Sequence, residues 1–507
     1  MRSCGVIIRG MQFSELRKKI TGVRAAYGGD AQIRGIAYDS RCVEPGFVFV
    51  AMKGGTYDGH DFVSDALAAG ASAVIAERPV ECAIEAGVPC VLVDDGRRAM
   101  GEIAAPFFDY PSRELTLIGV TGTSGKTTVT HLIQSVFAAA GRKTGLIGTL
   151  GARVQGDFLS TKHTTPESVD LQQILRLMVD QGVEVVAMEV SSHGLYQGRV
   201  LGCEFDCGVF TNIARDHLDF HKTPEAYLDA KLMLFRDYPA MSQKRFVGVV
   251  NVDDHSAQAF IAAAPGPVVT FGVRSSADLT ASDCVVTDRS VSFDLHYQGS
   301  TARVSLGIGG SFNVYNALAA AAVGVGLGTG LEAIVDGLRQ ARGVPGRFES
   351  VDCGQDFGVI VDYAHTPDEL ENVLRTAREL TAGRLIVVFG CGGDRDRGKR
   401  PIMGRIAAEL ADLVVITSDN PRSEKPESII DEILQGISGP DRNRVEVVVD
   451  RKEAIDNAIE KARKEDLVVI AGKGHEDYQI FADRTIHFDD REVAREKLCS
   501  LSKRVKS

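Results

Sequence analysis

A glycine-rich turn at residues 119–128 constrains the fold of this chain more than any other feature. It follows an apolar run at residues 115–120, contains Lys126 and Thr127, and precedes a helix-like stretch at residues 129–140. A buried strand, a glycine loop and a helix in this order direct backbone N–H groups and the positive end of the helix at a phosphate. Lys126 would neutralise terminal phosphates, and the Thr127 hydroxyl would ligate Mg²⁺. The pattern predicts a nucleotide-binding domain built on a parallel sheet.

The turn departs from the strict phosphate-loop pattern, because Val120 stands where the first glycine is expected and Gly119 and Gly122 flank it. The alternative is a glycine turn that binds no ligand. Lys126 and Thr127 have no evident packing role after such a turn, so the nucleotide site is favoured.

Two boundaries divide the sequence into three parts. At residues 107–112 a helix-like stretch ends in Pro before a β-rich run, and at residues 342–347 Pro and Gly follow an amphipathic stretch. At about 150 residues per domain, a chain of 507 residues would also form about three domains. We expect domains at residues 1–112, 113–342 and 343–507.

Short β-rich runs give each part an α/β character. In the first part they fall at residues 48–50 and 73–75 and alternate with helix-like stretches. In the central part, the continuous apolar runs at residues 183–188 and 246–250 are typical of strands buried on both faces of a parallel sheet. The third part is expected to form a doubly wound sheet, with strands at residues 358–362, 384–389, 413–417, 445–449 and 467–471.

The composition argues against several classes of protein. With 44% hydrophobic and 25% charged residues, the chain has the make-up of a globular enzyme. Its net charge of −11 argues against a nucleic-acid partner, which would require clustered Lys and Arg. The longest uncharged apolar stretch, at residues 317–331, is too short to span a bilayer, and the start has no export signal. Ten scattered cysteines without a C-x-x-C pair indicate neither a zinc site nor a disulfide framework, so a reducing, cytoplasmic compartment fits best.

A carboxylate that would complete a Mg²⁺ site ends one of the central strands. Glu189 follows the apolar run at residues 183–188, at the carboxyl edge where α/β sheets bind ligands. A Mg²⁺ ion held between phosphates needs only one or two protein oxygens. Glu189 is therefore the candidate ligand, and simple polarity at a strand end is the alternative.

Two His and two Asp lie close together after residue 211. They are Asp216, His217, Asp219 and His221, a density typical of metal or phosphate sites. His217 and His221 have the spacing of a zinc pair, but no Glu follows His217 and no third ligand is evident. Polar residues at a solvated helix start are the alternative.

Lys231 falls on the apolar stripe of an amphipathic stretch at residues 227–235, together with Leu228, Leu232 and Phe235. A buried ammonium must be paired or chemically altered. By spacing alone, a lysine whose ammonium reaches solvent along the stripe is favoured.

Six motifs make the sequence similar to the Mur ligases, in family order and over nearly the whole chain. They occupy residues 119–128, 189–193, 216–219, 230–231, 313–320 and 362–367. Within the family, the chain most resembles the members that add meso-diaminopimelate. This likeness lies at residues 39–41, 58–60, 419–422 and 472–476. The resemblance implies an α/β protein of three domains: a small N-terminal UDP-binding domain, a central P-loop-type ATPase domain with a parallel sheet, and a C-terminal Rossmann-like domain that presents the amino acid.

The implied activity is that of an ATP-dependent ligase in the synthesis of cell-wall precursors. It would join meso-2,6-diaminopimelate to UDP-N-acetylmuramoyl-L-alanyl-D-glutamate, with ATP as co-substrate and Mg²⁺ as cofactor. A carboxylate of the dipeptide would attack the γ-phosphate of ATP, and the amine would capture the resulting acyl phosphate. We expect a cytoplasmic monomer with no nucleic-acid partner and no membrane insertion.

The resemblance also assigns residues to each ligand. Catalysis is assigned to Lys126, Glu189, His217 and Lys231, and the metal to Thr127, Glu189, His217 and a carbamylated Lys231. ATP is assigned to Gly119, Thr121, Gly122, Thr123, Ser124, Gly125, Lys126, Thr127, Thr128, Asn316, Arg347 and Asp362, with Asn313 as the alternative to Asn316. The UDP substrate is assigned to Ser40, Gly55, Thr56, Tyr57, His163, Thr164, Thr165, Ser191, Gln197 and Arg199; some members have Asn where His163 stands. Diaminopimelate is assigned to Arg395, Asp419, Asn420, Pro421, Arg422, Gly472 and Glu476.

The choice of amino acid is expected to depend on Arg422. Diaminopimelate carries a distal carboxylate that lysine lacks, and Arg is the planar, bidentate partner of a carboxylate. Arg347 and Asp362 belong to the expected third domain yet are assigned to ATP. Closure of that domain over the nucleotide is therefore expected.

Four other functions compete with this interpretation. A sister ligase that adds L-lysine, or a folylpolyglutamate synthase, would share the ATP machinery, but Arg422 and residues 39–41 argue against both. A P-loop switch would need no amino-acid pocket. A dinucleotide oxidoreductase is disfavoured because residues 390–395 lack the third glycine of G-x-G-x-x-G.

Overall fold

Three large β-sheets follow one another along the chain. A computed structural model describes residues 10–54, 57–154, 157–214 and 216–505. The sheets have five, eleven and six strands, and each is built from its own stretch of sequence. Their order agrees with the α/β class that the alternating strand and helix patterns predict. The domain boundaries at residues 112 and 342 stay predictions.

The first sheet holds mainly short, buried parallel strands. Its order is β2-β7-β6-β5-β4, and a separate small sheet pairs β1 with β3. Helix α4 covers one face, where its apolar side chains join the core of this part. The elements are β1 (Met11–Gln12), α1 (Phe13–Arg17), β2 (Val23–Tyr27), β3 (Gln32–Ile33), β4 (Gly35–Ala37), β5 (Phe47–Ala51), α2 (Val63–Ala68), β6 (Ala73–Ala76), α3 (Glu81–Glu85), β7 (Cys90–Val93) and α4 (Gly96–Phe107), with short 3₁₀ turns at Ser40–Cys42 and Gly59–Phe62.

The central sheet has a parallel middle with antiparallel strands at both ends. Its order is β11-β10-β9-β12-β8-β13-β14-β15-β16-β17-β18, and the strands from β9 to β16 in this order run parallel. After a 3₁₀ turn at Pro111–Glu114, the strands are β8 (Thr116–Thr121), β9 (Thr144–Gly148), β10 (Gly151–Val154), β11 (Asp157–Leu159), β12 (Val185–Glu189), β13 (Cys207–Phe210), β14 (Val247–Asn251), β15 (Val268–Gly272), β16 (Leu279–Val286), β17 (Val291–Tyr297) and β18 (Ser300–Leu306).

Helices cover both faces of this sheet, as its continuous apolar strands require. One face packs against α5, α11 and α12, and the other against α6, α9 and α10. The helices are α5 (Lys126–Ala139), α6 (Ser168–Asp180), α7 (Ser192–Tyr196), α8 (Leu218–His221), α9 (Pro224–Ala240), α10 (Ala257–Ala263), α11 (Phe312–Gly326) and α12 (Leu331–Gln340).

The central sheet changes direction of growth at β8. Strand β12 lies on one side of β8 and β13 on the other, both parallel to it. Ligands of open α/β sheets bind beyond the carboxyl ends of the strands at such a switch point. The glycine-rich turn begins at this end of β8.

The third sheet is doubly wound, as predicted. Its order is β19-β20-β24-β21-β22-β23, parallel except for the edge strand β19, and helices cover both faces. The elements are β19 (Glu349–Ser350), β20 (Gly358–Asp362), α13 (Pro367–Leu380), β21 (Leu385–Phe389), α14 (Lys399–Leu410), β22 (Leu413–Ile416), α15 (Pro426–Leu434), a 3₁₀ turn at Gly439–Arg444, β23 (Val445–Val447), α16 (Arg451–Lys461), β24 (Leu467–Ala471), a hairpin of β25 (Tyr478–Ile480) and β26 (Thr485–His487), and α17 (Asp490–Val505).

Within the described ranges, no helix combines the length and the apolar composition that a membrane crossing requires.

A buried ion pair fixes the last helix to the third sheet. Nε and Nη2 of Arg451 donate to the two carboxylate oxygens of Asp490, each at 2.7 Å, and both side chains are fully buried. The same guanidinium donates to the carbonyl oxygen of Ser418, just after β22, and to that of Ala471, at the end of β24. The pair therefore joins α17 to the loops that follow β22 and β24.

Removing Arg451 should destabilise the protein strongly. Arg451→Met leaves the Asp490 carboxylate buried without its partner, which costs about 3–5 kcal/mol of unfolding free energy. Arg405→Met breaks an exposed pair with Glu409 and should cost less than about 1 kcal/mol. Urea unfolding followed by far-ultraviolet circular dichroism measures both, since the chain has no tryptophan. Equal midpoints for the two variants would contradict the assignment.

Candidate active site

A cleft of about 980 Å³ lies between the carboxyl edge of the central sheet and helix α13 of the third part. The glycine-rich turn, the ends of β12, β13 and β14 and the start of α11 form one wall, and residues 362–379 contribute to the other. Residues from two sheets therefore meet at one cavity.

The glycine-rich turn packs too closely against the next strand for a side chain to fit. Gly122 has φ +151°, and a Cβ there would lie 1.9 Å from Oγ1 of Thr211. A Cβ on Gly125 (φ +85°) would lie 2.6 Å from Oδ1 of Asn316. Asn212 holds the turn in place, since its carbonyl oxygen and its Oδ1 accept from the backbone N–H groups of Thr123 and Ser124.

The turn leads into the start of α5, whose first residues line the cleft. This helix begins at Lys126 without a side-chain cap, so its first N–H groups can bind an anion. Nζ of Lys126 donates to the carbonyl oxygens of Gly122 and Thr123, at 2.9 and 2.7 Å. Burial lowers the pKa of Lys126, whereas the nearby Glu189 and Asp216 oppose that shift. Thr127 and Thr128 also line the cleft.

Glu189 ends strand β12 inside the same cleft, as the sequence predicts. Its two carboxylate oxygens accept from the backbone N–H and the hydroxyl of Thr149, at 2.9 and 3.1 Å. These bonds fix the orientation of a carboxylate that is almost fully buried.

The prediction from spacing alone that the ammonium of Lys231 reaches solvent is wrong. Lys231 is 1% exposed, and its Nζ donates to the carbonyl oxygen of Gly122 at 2.8 Å. Its Nζ also lies 4.4 Å from the centre of the Tyr227 ring. Burial and the positive charge of Lys126 hold the pKa of Lys231 well below its usual value. Burial therefore disfavours the charged form of this side chain.

Three imidazoles gather beside this pair of lysines. The ring of His193 lies 4.8 Å from that of His217 and 5.5 Å from that of His221. Burial, together with the neighbouring imidazoles, lowers the pKa of His193 to about 4, so its ring stays neutral at physiological pH. Nε2 of His221 bonds to the Ser192 hydroxyl, at 3.0 Å. Among the described residues, no group of three or more His, Cys, Asp or Glu is placed to hold a metal ion.

Two residues of the third part reach this cleft, as the sequence predicts. The Asp362 carboxylate accepts from the backbone N–H groups of Phe348 and Ala364, and burial raises its pKa although Arg347 opposes the shift. The Arg347 guanidinium lies 4.8 Å from the centre of the Tyr363 ring, and its Nε is buried without a hydrogen-bond partner. Both line the cleft and leave polar capacity for a ligand.

Of the two Asn candidates on α11, Asn316 lines the cleft and Asn313 lies behind it. Nδ2 of Asn316 donates to Oδ1 of Asn313, and Nδ2 of Asn313 donates to the carbonyl oxygen of Gly309. Asn313 therefore orients Asn316.

The cleft has an aromatic wall, which the sequence analysis missed. Phe271, Phe312 and Tyr315 contribute to it. The Tyr315 hydroxyl donates to Asp253, which also accepts from three backbone N–H groups. A flat, partly apolar wall of this kind suits a nucleobase.

The residues assigned to the UDP substrate divide between two sheets. Thr165 is central: its hydroxyl bonds to the carbonyl oxygen of Glu189 and to the Ser191 hydroxyl, and its carbonyl oxygen accepts from Arg199. The hydroxyls of Thr164 and Thr149 are 3.1 Å apart. This group therefore adjoins the carboxylate of Glu189.

The remaining members of the UDP set are less tightly joined. Oε1 of Gln197 is buried without a hydrogen-bond partner. Burial, and after it Arg199, lowers the pKa of His163. Ser40 begins a short 3₁₀ turn in the first part, and the Tyr57 ring is largely exposed. Gly55 and Thr56 lie outside the described residues.

The residues assigned to diaminopimelate gather at the carboxyl edge of the third sheet. Asn420 donates to Glu476 at 2.8 Å, across the loops that follow β22 and β24. Arg422 has φ +51° and donates from Nη1 to the carbonyl oxygen of Gly393. Asp419 accepts from the backbone N–H of Asn420, and Arg395 is exposed on the loop that follows β21.

The glycines at residues 390–393 allow two loops to pack closely and do not form a dinucleotide-binding turn. A Cβ on Gly390 would lie 2.3 Å from the carbonyl oxygen of Thr417, and one on Gly393 would lie 1.9 Å from that of Pro421. Glycine thus lets the two loops that carry Arg395 and Arg422 approach each other closely.

Several residues of the site were not predicted from the sequence. Thr149, Asn212 and Glu369 are single polar residues in loops or a first helical turn, and only the fold brings them to the cleft. Lys473 lies within a motif that was recognised, but sequence gave no sign of its complete burial. The flanking glycines, Gly472 and Gly474, indicated only a tight turn, and both have positive φ in the structure.

Models of known protein families match most of the chain. They are described as the Mur ligase family catalytic domain, at residues 32–108, the Mur ligase middle domain, at residues 120–324, and the Mur ligase glutamate ligase domain, at residues 346–474.

Named relatives are similar over almost the full length. The UDP-N-acetylmuramoyl-L-alanyl-D-glutamate–2,6-diaminopimelate ligase of Bacillus cereus is 47% identical over 471 residues, which cover 92% of this chain and 94% of that protein. The protein of the same name from Geobacillus kaustophilus is 47% identical over 487 residues, 96% of this chain and 99% of that protein.

Solved structures have the same fold. A UDP-N-acetylmuramoyl-L-alanyl-D-glutamate–2,6-diaminopimelate ligase is 36% identical, with a TM-score of 0.66 over 93% of this chain and 96% of that one. The MurF ligase of Thermotoga maritima, solved in complex with ADP, is 20% identical and shows the likeness of fold alone, with a TM-score of 0.64 over 93% and 98% of the two chains.

Gly122→Ala should weaken nucleotide binding. The added methyl group would meet Thr211 and force the turn out of the conformation that cradles phosphate, so we expect ADP affinity to fall by about tenfold or more. Gly307→Ala is the matched control, because a Cβ there meets nothing within 4 Å. Isothermal titration calorimetry with ADP measures both variants. Unchanged affinity in Gly122→Ala would show that the turn does not bind phosphate.

Proposed function

Because the chain belongs to the Mur ligase family, we propose that it joins meso-diaminopimelate to UDP-N-acetylmuramoyl-L-alanyl-D-glutamate, with ATP as the energy source. Members of that family are ATP-dependent ligases that form amide bonds, and the chain is one of them. The relatives that carry the name of this reaction match it along nearly its whole length. The product is a precursor of peptidoglycan, and we place the enzyme in the cytoplasm, where ATP is available.

One observation carries the proposal: the glycine turn lies at the carboxyl edge of the central sheet, and the residues assigned to the amino acid gather at the carboxyl edge of the third. Lys126 stands at the first and Arg422 at the second. The ring of Tyr363 lines the cleft and lies 4.9 Å from that of His475, in the loop that carries Glu476. A ligase needs its activated carboxylate and its incoming amine to meet in this way.

In the first step, a carboxylate oxygen of the D-glutamate attacks the γ-phosphorus of ATP, and the bond to the β,γ-bridging oxygen breaks. ADP leaves with that electron pair, and an acyl phosphate forms. The N–H groups at the start of α5 and the Lys126 ammonium stabilise the negative charge on the transferring group. The aromatic wall of Phe271 and Phe312 would hold the adenine.

In the second step, the diaminopimelate amine attacks the acyl carbon. The tetrahedral intermediate expels phosphate, the amine loses a proton, and the amide bond remains. Arg422 and Arg395 would bind carboxylates of the amino acid, while Glu476 would accept from an ammonium group. Holding the two reactants in the right orientation lowers the activation free energy by about several kcal/mol.

Closure of the third part would complete the site. Arg347 and Asp362 belong to the third part but face the nucleotide cleft. A nucleotide bound to Lys126 would draw the Arg347 guanidinium toward its phosphates, and water would be excluded from the acyl phosphate.

The residues at the cradle suit Mg²⁺. Thr127, Glu189 and a carbamylated Lys231 would offer oxygen donors and His217 a nitrogen, and all four line the cleft. When bound, the ion would neutralise charge on the phosphates. The near-complete burial of Glu189 fits such a role, because a buried carboxylate requires a positive partner.

The rival functions are less well supported. A ligase that adds L-lysine would have no use for the guanidinium of Arg422 at a distal carboxylate. A nucleotide switch would need no pocket beside the third sheet. Product mass after incubation with ATP, Mg²⁺, the UDP-linked dipeptide and either diaminopimelate or L-lysine separates these functions.

Arg422→Met should impair the use of diaminopimelate selectively. Loss of a bidentate contact to a carboxylate should raise the KM for diaminopimelate by about tenfold or more, with the KM for ATP within about twofold of the unchanged protein. Arg405→Met, at an exposed pair on α14, is the control. Steady-state kinetics with each substrate varied in turn is the measurement. Equal rises in both constants would remove Arg422 from amino-acid recognition.

Lys231 should carry a carbamate in the active enzyme. Its neutral amine would add CO₂ and release a proton, and the new carboxylate would replace an unfavourable buried cation. After addition of ¹³C-bicarbonate, we expect a carbamate signal in the NMR spectrum that weakens as the pH falls and the amine is protonated. Lys231→Arg keeps a cation that cannot react, so it should lack the signal and lose activity by about a hundredfold or more. Full activity in Lys231→Arg would refute the assignment.

A further inference from the structure

Lys473 is fully buried behind the amino-acid pocket. It follows β24, between Gly472 and Gly474, and is 0% exposed. Its Nζ lies 3.2 Å from Oε2 of Glu476 and 3.3 Å from Oδ1 of Asn420. Taking an ammonium out of water is costly unless it is paired and hydrogen-bonded. These contacts supply the pairing.

The ammonium also decides how the neighbouring amide is oriented. It can only donate, so it requires the carbonyl oxygen of Asn420 to face it. That oxygen also accepts from the backbone N–H of Ile480, at 3.0 Å. The amide nitrogen of Asn420 is then free to donate in the opposite direction, to Oε2 of Glu476 at 2.8 Å. Lys473, Asn420 and Glu476 form a closed triangle of hydrogen bonds.

The triangle occupies one oxygen of Glu476 and leaves the other. Oε2 accepts from both Lys473 and Asn420. Among the residues that the structure describes, no donor reaches Oε1. A carboxylate held in this way presents one oriented acceptor to an ammonium group.

We propose that Lys473 is a positioning residue for the amino-acid substrate, which holds Glu476 and Asn420 so that Oε1 of Glu476 accepts from an ammonium group of the incoming diaminopimelate. Lys473 itself does not touch the substrate. This inference rests on the proposed function, since it assigns a role within the amino-acid pocket of that ligase.

Lys473→Met is the direct test. It keeps the length of the side chain and removes the charge and the donors, so Glu476 and Asn420 lose their common anchor. We expect the KM for diaminopimelate to rise about tenfold or more, with the KM for ATP and for the UDP-linked dipeptide within about twofold. Lys461→Met is the matched control: Lys461 pairs with Glu446 at the far edge strand β23, and both constants should stay unchanged.

Two further variants separate positioning from a general loss of structure. In a double-mutant cycle, Lys473→Met should add little to Glu476→Gln, because Lys473 acts through Glu476. Lys473→Gln keeps a donor without the charge, and it should fold and show an intermediate rise in the diaminopimelate KM if Lys473→Met does not fold.

Three results would overturn the inference: a diaminopimelate KM within twofold of the unchanged protein in Lys473→Met and Lys473→Gln, an equal rise in the KM for ATP, or fully multiplicative effects in the cycle. Failure of the unmodified protein to ligate diaminopimelate is a different result, which would refute the proposed function itself.

Discussion

Two lysines converge on one carbonyl oxygen, and the active site is organised around this contact. Nζ of Lys126 and Nζ of Lys231 both donate to the Gly122 oxygen, at 2.9 and 2.8 Å. Burial, and after it the positive charge of Lys126, lowers the pKa of Lys231, because two cations so close together in a buried place repel each other. An anion relieves the repulsion. A phosphate bound at the glycine turn, or a carbamate on Lys231, would each stabilise the two lysines. The site in the free protein is therefore suited to bind an anion.

Tyr363 lies between Arg347 of the nucleotide cleft and His475, next to the proposed amino-acid site. One side of its ring lies near the Arg347 guanidinium, at 4.8 Å, and its centre is 4.9 Å from that of the His475 ring. Arg347 lines the nucleotide cleft, while His475 precedes Glu476 of the amino-acid pocket. Gly346 and Gly474 approach so closely that a Cβ on either would meet the other's backbone. A movement of Arg347 toward phosphate would therefore displace the loop that is proposed to hold the amino acid, because close-packed interiors transmit displacement.

The parts of the site that sequence predicts are those in which a local pattern carries the physics. The strand, turn and helix around Lys126 and the strand that ends at Glu189 follow from hydrophobic runs and glycine spacing, and the structure has them in place. The burial of Lys231 cannot be predicted from its spacing, because a lysine on an apolar stripe can be buried or can extend to solvent. The packing of α9 beside the glycine turn decides between the two. The antiparallel strands β16, β17 and β18 were also missed. Their polar, alternating residues form one side of a sheet that only the neighbouring parallel strands complete.

Local charge rather than net charge governs what this protein attracts. The chain carries −11 overall, yet both substrates of the proposed first step are polyanions. Exposed charges act over only about 8 Å at physiological ionic strength, so the acidic surface is largely screened from an approaching nucleotide. Lys126, Lys231 and Arg347 lie in a cleft where the dielectric is lower and screening weaker. The cleft also holds carboxylates, among them Glu189 and Glu369, so the attraction for phosphate is confined to the glycine turn, where Lys126 and the first N–H groups of α5 lie together.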